Sequence, residues 1–254
     1  MCRAIQSYGA QVWRYSLFEE VDKLQRFFLK KILKLPSFTP TYALMLETGI
    51  ENNYIYTLDL HLRYIIKTLF DYNDNRLPSK LTKLTIEKKS YWYKHIEKLA
   101  NDVSTIHISE CFSRENWERL RIDILTGLKR KERENNIQQA TRSNRFYSKL
   151  NYKELQTYFE INNNTTAVSY IFKARCDLIE LNGTRFQTQR SRICSLCNRN
   201  ETENILHFFA SCPILREIRY QYFKRTTITE NDLIYILNNA NQNFKVIYLF
   251  IIDA

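Results

Sequence analysis

An all-α fold, a helical bundle with a small C-terminal zinc-knuckle-like segment, is predicted by three properties of this sequence. Glycine and proline are scarce, apolar residues recur every third or fourth position, and capping signals stand where those runs begin and end. The chain has 254 residues with only four glycines and four prolines, far below the usual share of roughly 12%. Sheet-rich folds with many tight turns need more of both. Hydrophobic residues make up 44% and charged residues 26%, enough apolar content to bury a core and too much for a disordered tail.

The first clear helix lies between Leu17 and Leu35, where positions 17, 21, 24, 28, 32 and 35 share one face. Glu19, Glu20 and Asp22 stand at its start and Lys30, Lys31 and Lys34 at its end, as the helix dipole favours, and Pro36 stops it. In the next helix Thr39 is placed to cap, Pro40 suits the first helical position, and Gly49 suits a left-handed exit. Further helical windows are Tyr54–Tyr72, Leu81–Ala100, Arg114–Leu150 with a break expected near Gly127 or Asn135, Tyr152–Phe159, and Thr166–Leu181 ending at Asn182-Gly183. Pro213–Lys224, Asn231–Leu237 and Phe244–Ile252 complete the set. The 17 tyrosines and 15 phenylalanines read mainly as core at this spacing. The polar run Asn162-Asn163-Asn164-Thr165 suggests a boundary between a helical region 1–160 and a second region 161–254.

Net charge is +11, which favours a polyanionic partner. Residues 114–153 carry 11 Lys/Arg against 5 Asp/Glu, including Lys129-Arg130-Lys131, and read most simply as a solvated helix face. Residues 173–199 carry 6 against 2, including Arg175, Arg185, Arg190, Arg192 and Arg199, and lead into a cysteine cluster. The longest apolar stretch, Val246 to Ile252, falls far short of the ~20 residues a bilayer crossing needs. No signal peptide is legible at Met1, so an intracellular location, nucleus or cytoplasm, is expected.

Cys194-x2-Cys197-x9-His207-x4-Cys212 is the sharpest signal in the chain. Two thiols two residues apart can face one ion, and three thiolates with an imidazole complete a tetrahedron. Such a closed set indicates structural Zn2+ in a segment of about residues 190–224. Cys2, Cys111 and Cys176 are scattered and read as reduced thiols. His61, His95 and His107 are isolated, Glu47, Glu51 and Asp59 form no pair, and no glycine-rich phosphate loop appears. No catalytic residue is therefore assigned.

Two blocks resemble the C-terminal part of reverse transcriptases from non-LTR retrotransposons, particularly jockey-like elements. The first runs from Tyr8-Gly9-Ala10-Gln11-Val12-Trp13 through Leu24–Pro36 and Thr39-Pro40 to Glu47-Thr48-Gly49, and is similar to the thumb region. The second comprises Arg175 and the arginine-rich lead-in, then Cys194-Ser195-Leu196-Cys197, Glu201-Thr202, His207 and Cys212-Pro213, and is similar to the family's zinc-binding segment. The family's polymerase palm needs an Asp-Asp pair, and none occurs in this sequence. The resemblance thus implies a non-catalytic, truncated or fragmentary relative that binds template RNA or target DNA. It also implies an intact retroelement polymerase as a partner in trans. Phosphate contacts are expected from Arg175, Arg185, Arg190, Arg192 and Arg199, with Lys129, Arg130 and Lys131 as further candidates. The alternatives are a protein–protein interaction module and an inert product whose zinc site is purely structural.

Overall fold

The computed structural model describes residues 8–10, 19–103, 106–152, 156–161, 164–183 and 191–254. Among them the fold is all-α and holds no strand; its only extended pairing is one isolated antiparallel bridge, Ile193 with Thr202. The helices are α1 (Glu19–Ile32), α2 (Thr41–Thr48), α3 (Asn53–Phe70), α4 (Leu77–Glu87), α5 (Tyr91–Val103) and α6 (Arg114–Ser143). They continue with α7 (Tyr158–Ile161), α8 (Thr165–Arg175), α9 (Arg216–Phe223), α10 (Glu230–Asn238) and α11 (Phe244–Asp253). No helix among the described residues is long and apolar enough to cross a membrane.

The chain forms two compact units, and their limits differ from the expected boundary at 160/161. One contains the described residues of Met1–Phe27 together with Ile50–Asn135; the other contains Phe28–Gly49 together with Asn136–Ala254. The division falls inside α1 and α6 and at Gly49–Ile50 between α2 and α3, away from the polar run 162–165. Its physical cause is burial: Tyr42, Ala43, Leu44 and Leu46 of α2 join a core built mostly from residues after 136.

In the first unit, Leu58, Leu62, Ile65 and Ile66 of α3 meet Tyr93, Ile96 and Ala100 of α5 and Trp117, Leu120 and Ile124 of α6. These spacings of three, four and seven put each set on one helical face. In the second unit, Phe209 stacks on Phe250 at 5.0 Å between ring centroids, with Phe208 and Phe223 edging the same ring at 5.6 and 5.1 Å.

Several local expectations are corrected. α6 runs unbroken through Gly127 and Asn135. A Cβ on Gly127 would lie 2.4 Å from Val103 Cβ, so the glycine permits close approach of α5 and does not end the helix. The window 81–100 is two helices, parted at Lys88–Ser90, where Lys89 takes a φ of 44°. α6 ends at Ser143, and the 3-10 turn Tyr147–Lys149 follows within the window expected to reach Leu150. Of the window 152–159, residues 153–155 lie outside the described residues and α7 takes up Tyr158 and Phe159. α8 ends before Cys176 and Asp177, the latter at φ 56°, rather than at Asn182-Gly183. Thr39 does not cap α2; its hydroxyl donates to the Pro36 carbonyl at 2.7 Å, and Pro40 is the cap residue. Gly49 does take the left-handed exit, with φ 63°.

Candidate metal centre

Cys194, Cys197, His207 and Cys212 converge: their ligand atoms all lie within 4.8 Å of one another, and all four residues are buried. The first two come from a short turn held by backbone pairing. Cys194 N–H donates to the Glu201 carbonyl and Glu203 N–H to the Arg192 carbonyl, both at 2.9 Å, around the Ile193–Thr202 bridge. Gly183 closes this turn from the other side, its N–H donating to the Glu203 carbonyl at 2.9 Å. A Cβ on Gly183 would meet that same oxygen at 2.6 Å, so glycine is required by close approach.

The other two ligands come from a π-helical turn, His207–Ser211. Residues five apart on an α-helix point roughly 140° away from each other. Here the Cys212 N–H donates to the His207 carbonyl at 2.8 Å, the i→i+5 bond of a π turn, and this wider turn brings Cys212 round to the side of His207. The turn is anchored from within by Phe208 and Phe209 in the core. Arg219, itself buried, holds it from outside: its guanidinium donates to the carbonyls of Phe209 at 2.7 Å, Cys212 at 3.0 Å and Thr226 at 2.7 Å.

His207 is oriented by two further groups. Its Nδ1 lies 2.8 Å from Glu201 Oε2, and its backbone N–H donates to Asn204 Oδ1 at 2.8 Å. With Nδ1 engaged by a carboxylate, Nε2 is the nitrogen left to face the sulfurs, and it lies 3.4 Å from Cys197 Sγ. A carboxylate on the far side of a ligating imidazole fixes the ring and raises its basicity. In a tetrahedral site with ordinary metal–sulfur and metal–nitrogen bonds, neighbouring ligand atoms stand about 3.5–3.8 Å apart. The one close pair, Cys197 Sγ and His207 Nε2 at 3.4 Å, stands near that spacing, and no pair of the quartet exceeds 4.8 Å. Burial pushes the Cys194 thiol up to about 11, against backbone hydrogen bonds from Leu196 and Cys197 that pull it down. A bound cation reverses that preference, since its sulfur ligands are thiolates.

The cluster is thus a site that could hold a metal ion, made of the four residues that the sequence spacing singled out. Asn204 and Arg219 carry no sequence expectation, Glu201 enters only as part of the resembling block, and Gly183 only as a helix end. Glu201 and Asn204, six and three residues before the ligating histidine, were the most legible of these.

The basic candidates fare differently. Arg175 is a correction: it is completely buried, with Nε 2.8 Å from Glu47 Oε2 and Nη2 3.1 Å from Glu47 Oε1, and it cannot reach a phosphate. Arg185 and Arg190 lie outside the described residues. Arg192 and Arg199 are exposed beside the cysteine turn. In the other unit Lys129 pairs with Glu51 at 2.7 Å, while Arg130 and Lys131 are exposed on α6. Comparison with protein-family models, with curated proteins and with solved structures finds no match to this chain.

Proposed function

We propose that this protein is a zinc-stabilised helical module that binds nucleic acid, in a non-catalytic role. The observation that carries the reading is the closed, buried Cys3His set with Arg192 and Arg199 exposed on the turn it staples. Three soft thiolates and one imidazole in a tetrahedron suit zinc above harder divalent ions. Four protein ligands leave no coordination position for a substrate, which makes the ion's part structural. The arginines then contact phosphates, giving affinity without base specificity. The resemblance of two blocks to the thumb and zinc-binding segment of non-LTR retrotransposon reverse transcriptases supports the same reading. It names template RNA or target DNA as ligand and an intact retroelement polymerase as the partner in trans.

Metal analysis of the purified chain is expected to find one zinc per chain. Fluorescence anisotropy with single-stranded RNA and duplex DNA at several salt concentrations tests the binding. With Arg175 withdrawn and about four phosphates neutralised by Arg185, Arg190, Arg192 and Arg199, the log–log salt slope should be roughly −2.8 for a single strand and −3.6 for a duplex. Arg192→Glu with Arg199→Glu should weaken binding to both while zinc content stays unchanged. Salt-independent binding, or none, overturns the nucleic-acid role; a metal-free chain overturns the zinc.

A further inference from the structure

Helix α4 is amphipathic in the wrong direction for a helix that serves only its own core. Leu77, Leu81 and Leu84 are 67%, 49% and 47% exposed, although they fall on one face at spacings of four and three. The opposite face turns inward with polar groups. Ser79 is fully buried, the Thr82 hydroxyl bonds the Thr68 hydroxyl of α3 at 3.0 Å, and Ile86 supplies the apolar contact with the core. A helix packed by Ser79 and Thr82 with its leucines facing outward keeps that leucine face for something else.

The pattern describes the occupant. Leu77, Leu81 and Leu84 take d, a and d positions of a heptad, and Lys88 falls at the next a. Together the leucines cover only about 60° of the helix circumference, the narrow seam of a helix pair, whereas a bilayer surface takes a far wider apolar face. The surroundings are cationic. Lys80 flanks the seam at g and makes no ion pair among the described residues. Glu87 stands at the next g, 3.8 Å from Lys88, and Lys89 follows at the C-terminal end, with Arg76 before the helix, so cations outnumber the one carboxylate. Glu87 is the only acidic residue of the helix, and Lys83 is held by Asp74 at 2.6 Å. Two copies in parallel would set Lys88 against Lys88 at a, and the excess of Arg76, Lys80, Lys88 and Lys89 over Glu87 opposes self-pairing in either direction. A seam of 11 residues, about 16 Å long, is also well short of the surface a stable dimer buries.

We propose that the Leu77–Leu81–Leu84 seam of α4 is a docking site for a leucine-bearing acidic helix of a partner protein. This site stands apart from the metal centre and from the nucleic-acid reading. The test uses the full chain and a fluorescein-labelled synthetic three-heptad peptide with leucine at a and d and glutamate at e and g. A matching peptide with lysine at e and g, and phosphatidylcholine–phosphatidylserine vesicles, serve as the other arms. The glutamate peptide is expected to bind in the micromolar range and the lysine peptide at least about tenfold more weakly. Changing Leu77, Leu81 and Leu84 together to serine should abolish binding, with circular dichroism checking that the helical content is retained, since none of the three side chains is buried. Lys80→Glu with Lys88→Glu, which leaves the leucines in place, should reverse the preference between the peptides. Four results would overturn the proposal: equal binding of both peptides, binding that survives the serine variant, leucine-dependent vesicle binding without peptide binding, or self-association lost on serine substitution.

Discussion

Arg175 and Glu47, 128 residues apart in the chain, form a two-pronged ion pair with neither side chain exposed. The Tyr147 and Tyr158 hydroxyls donate to the same carboxylate at 2.9 and 2.7 Å, and the guanidinium also donates to the carbonyls of Leu237 and Asn151. Burial and the Glu47 charge hold both tyrosines far above their usual ionisation range, so they remain donors at any working pH. Each carboxylate oxygen therefore has two donors, and the pair ties α2 to α8 within one unit.

Removing one member of a satisfied buried pair leaves a bare charge, which costs about 3–5 kcal/mol. Arg175→Met is accordingly expected to lower unfolding stability by that amount in urea titrations. Glu47→Leu combined with Arg175→Met should recover a large part of the loss, because both charges are then gone. Nucleic-acid binding by folded Arg175→Met should keep its salt slope. A slope reduced by about one would instead place this arginine on a phosphate.

At the candidate metal centre, Cys197→Ser removes one of four ligands, and on the proposed zinc reading a structural ion of this kind contributes ~10 kcal/mol or more in small zinc modules. The loss is expected to be local. The turn 191–204 is held by a few backbone bonds and, on the proposed reading, an ion, while Phe208 and Phe209 pack on Phe250. Hydrogen exchange should therefore accelerate over 191–204, with α3, α5 and α6 unchanged and 206–210 still protected. Glu201→Ala leaves all four ligands in place but frees the His207 ring. It should weaken metal affinity by about 10–100-fold in a chelator competition. An unchanged affinity would mean that the carboxylate merely caps an exposed edge.

The helical architecture and the metal quartet were legible because both rest on short-range pattern. Apolar spacing of three and four is set by the helix itself, and Cys-x2-Cys with His-x4-Cys needs two local turns to present two ligands each. Arg175 was misread because its partner is Glu47, and nothing in the neighbourhood of either residue announces the other. Its place among Arg185, Arg190, Arg192 and Arg199 made it look like part of a surface stripe. The divided helix at Lys88–Ser90 was hidden for a different reason, since a lysine at positive φ carries no glycine or proline signal. The π turn at His207–Ser211 was equally silent, being visible only as a gap of four before Cys212.

Gly127 gives a prediction that runs against helix propensity. Alanine there would favour an isolated helix by roughly 1 kcal/mol. The added Cβ would lie 2.4 Å from Val103 Cβ and 2.9 Å from its Cγ2, inside any tolerable contact. Overpacking of this kind costs about 1–3 kcal/mol, so Gly127→Ala should destabilise the chain on balance. Val103→Ala in the same background removes only the Cγ contacts and keeps the 2.4 Å Cβ contact, so the double variant should remain less stable than the native chain. Thermal melts of the three variants decide it; a stabilised Gly127→Ala would show that α5 and α6 can move apart freely.

His95 links the first unit's stability to pH. Its Nε2 lies 2.9 Å from the Tyr54 hydroxyl, which joins α5 to the start of α3. Burial lowers the His95 pKa, and Lys98 adds to the effect. Burial likewise pushes Tyr54 up to about 12, so the phenol keeps its proton beside a neutral imidazole. The sign follows directly. A histidine whose pKa is lower in the folded chain contributes fully above its unfolded value of about 6.5, and that contribution is lost as pH falls through the folded value, because the unfolded chain takes up the proton more readily. The stability difference between the native chain and His95→Gln should therefore shrink on going from about pH 7.5 to below about pH 6. Measuring the difference rather than the native chain alone cancels the other titrating groups, the metal ligands among them. A difference that stays constant across this range would place His95 in water, with an ordinary pKa and no working bond to Tyr54.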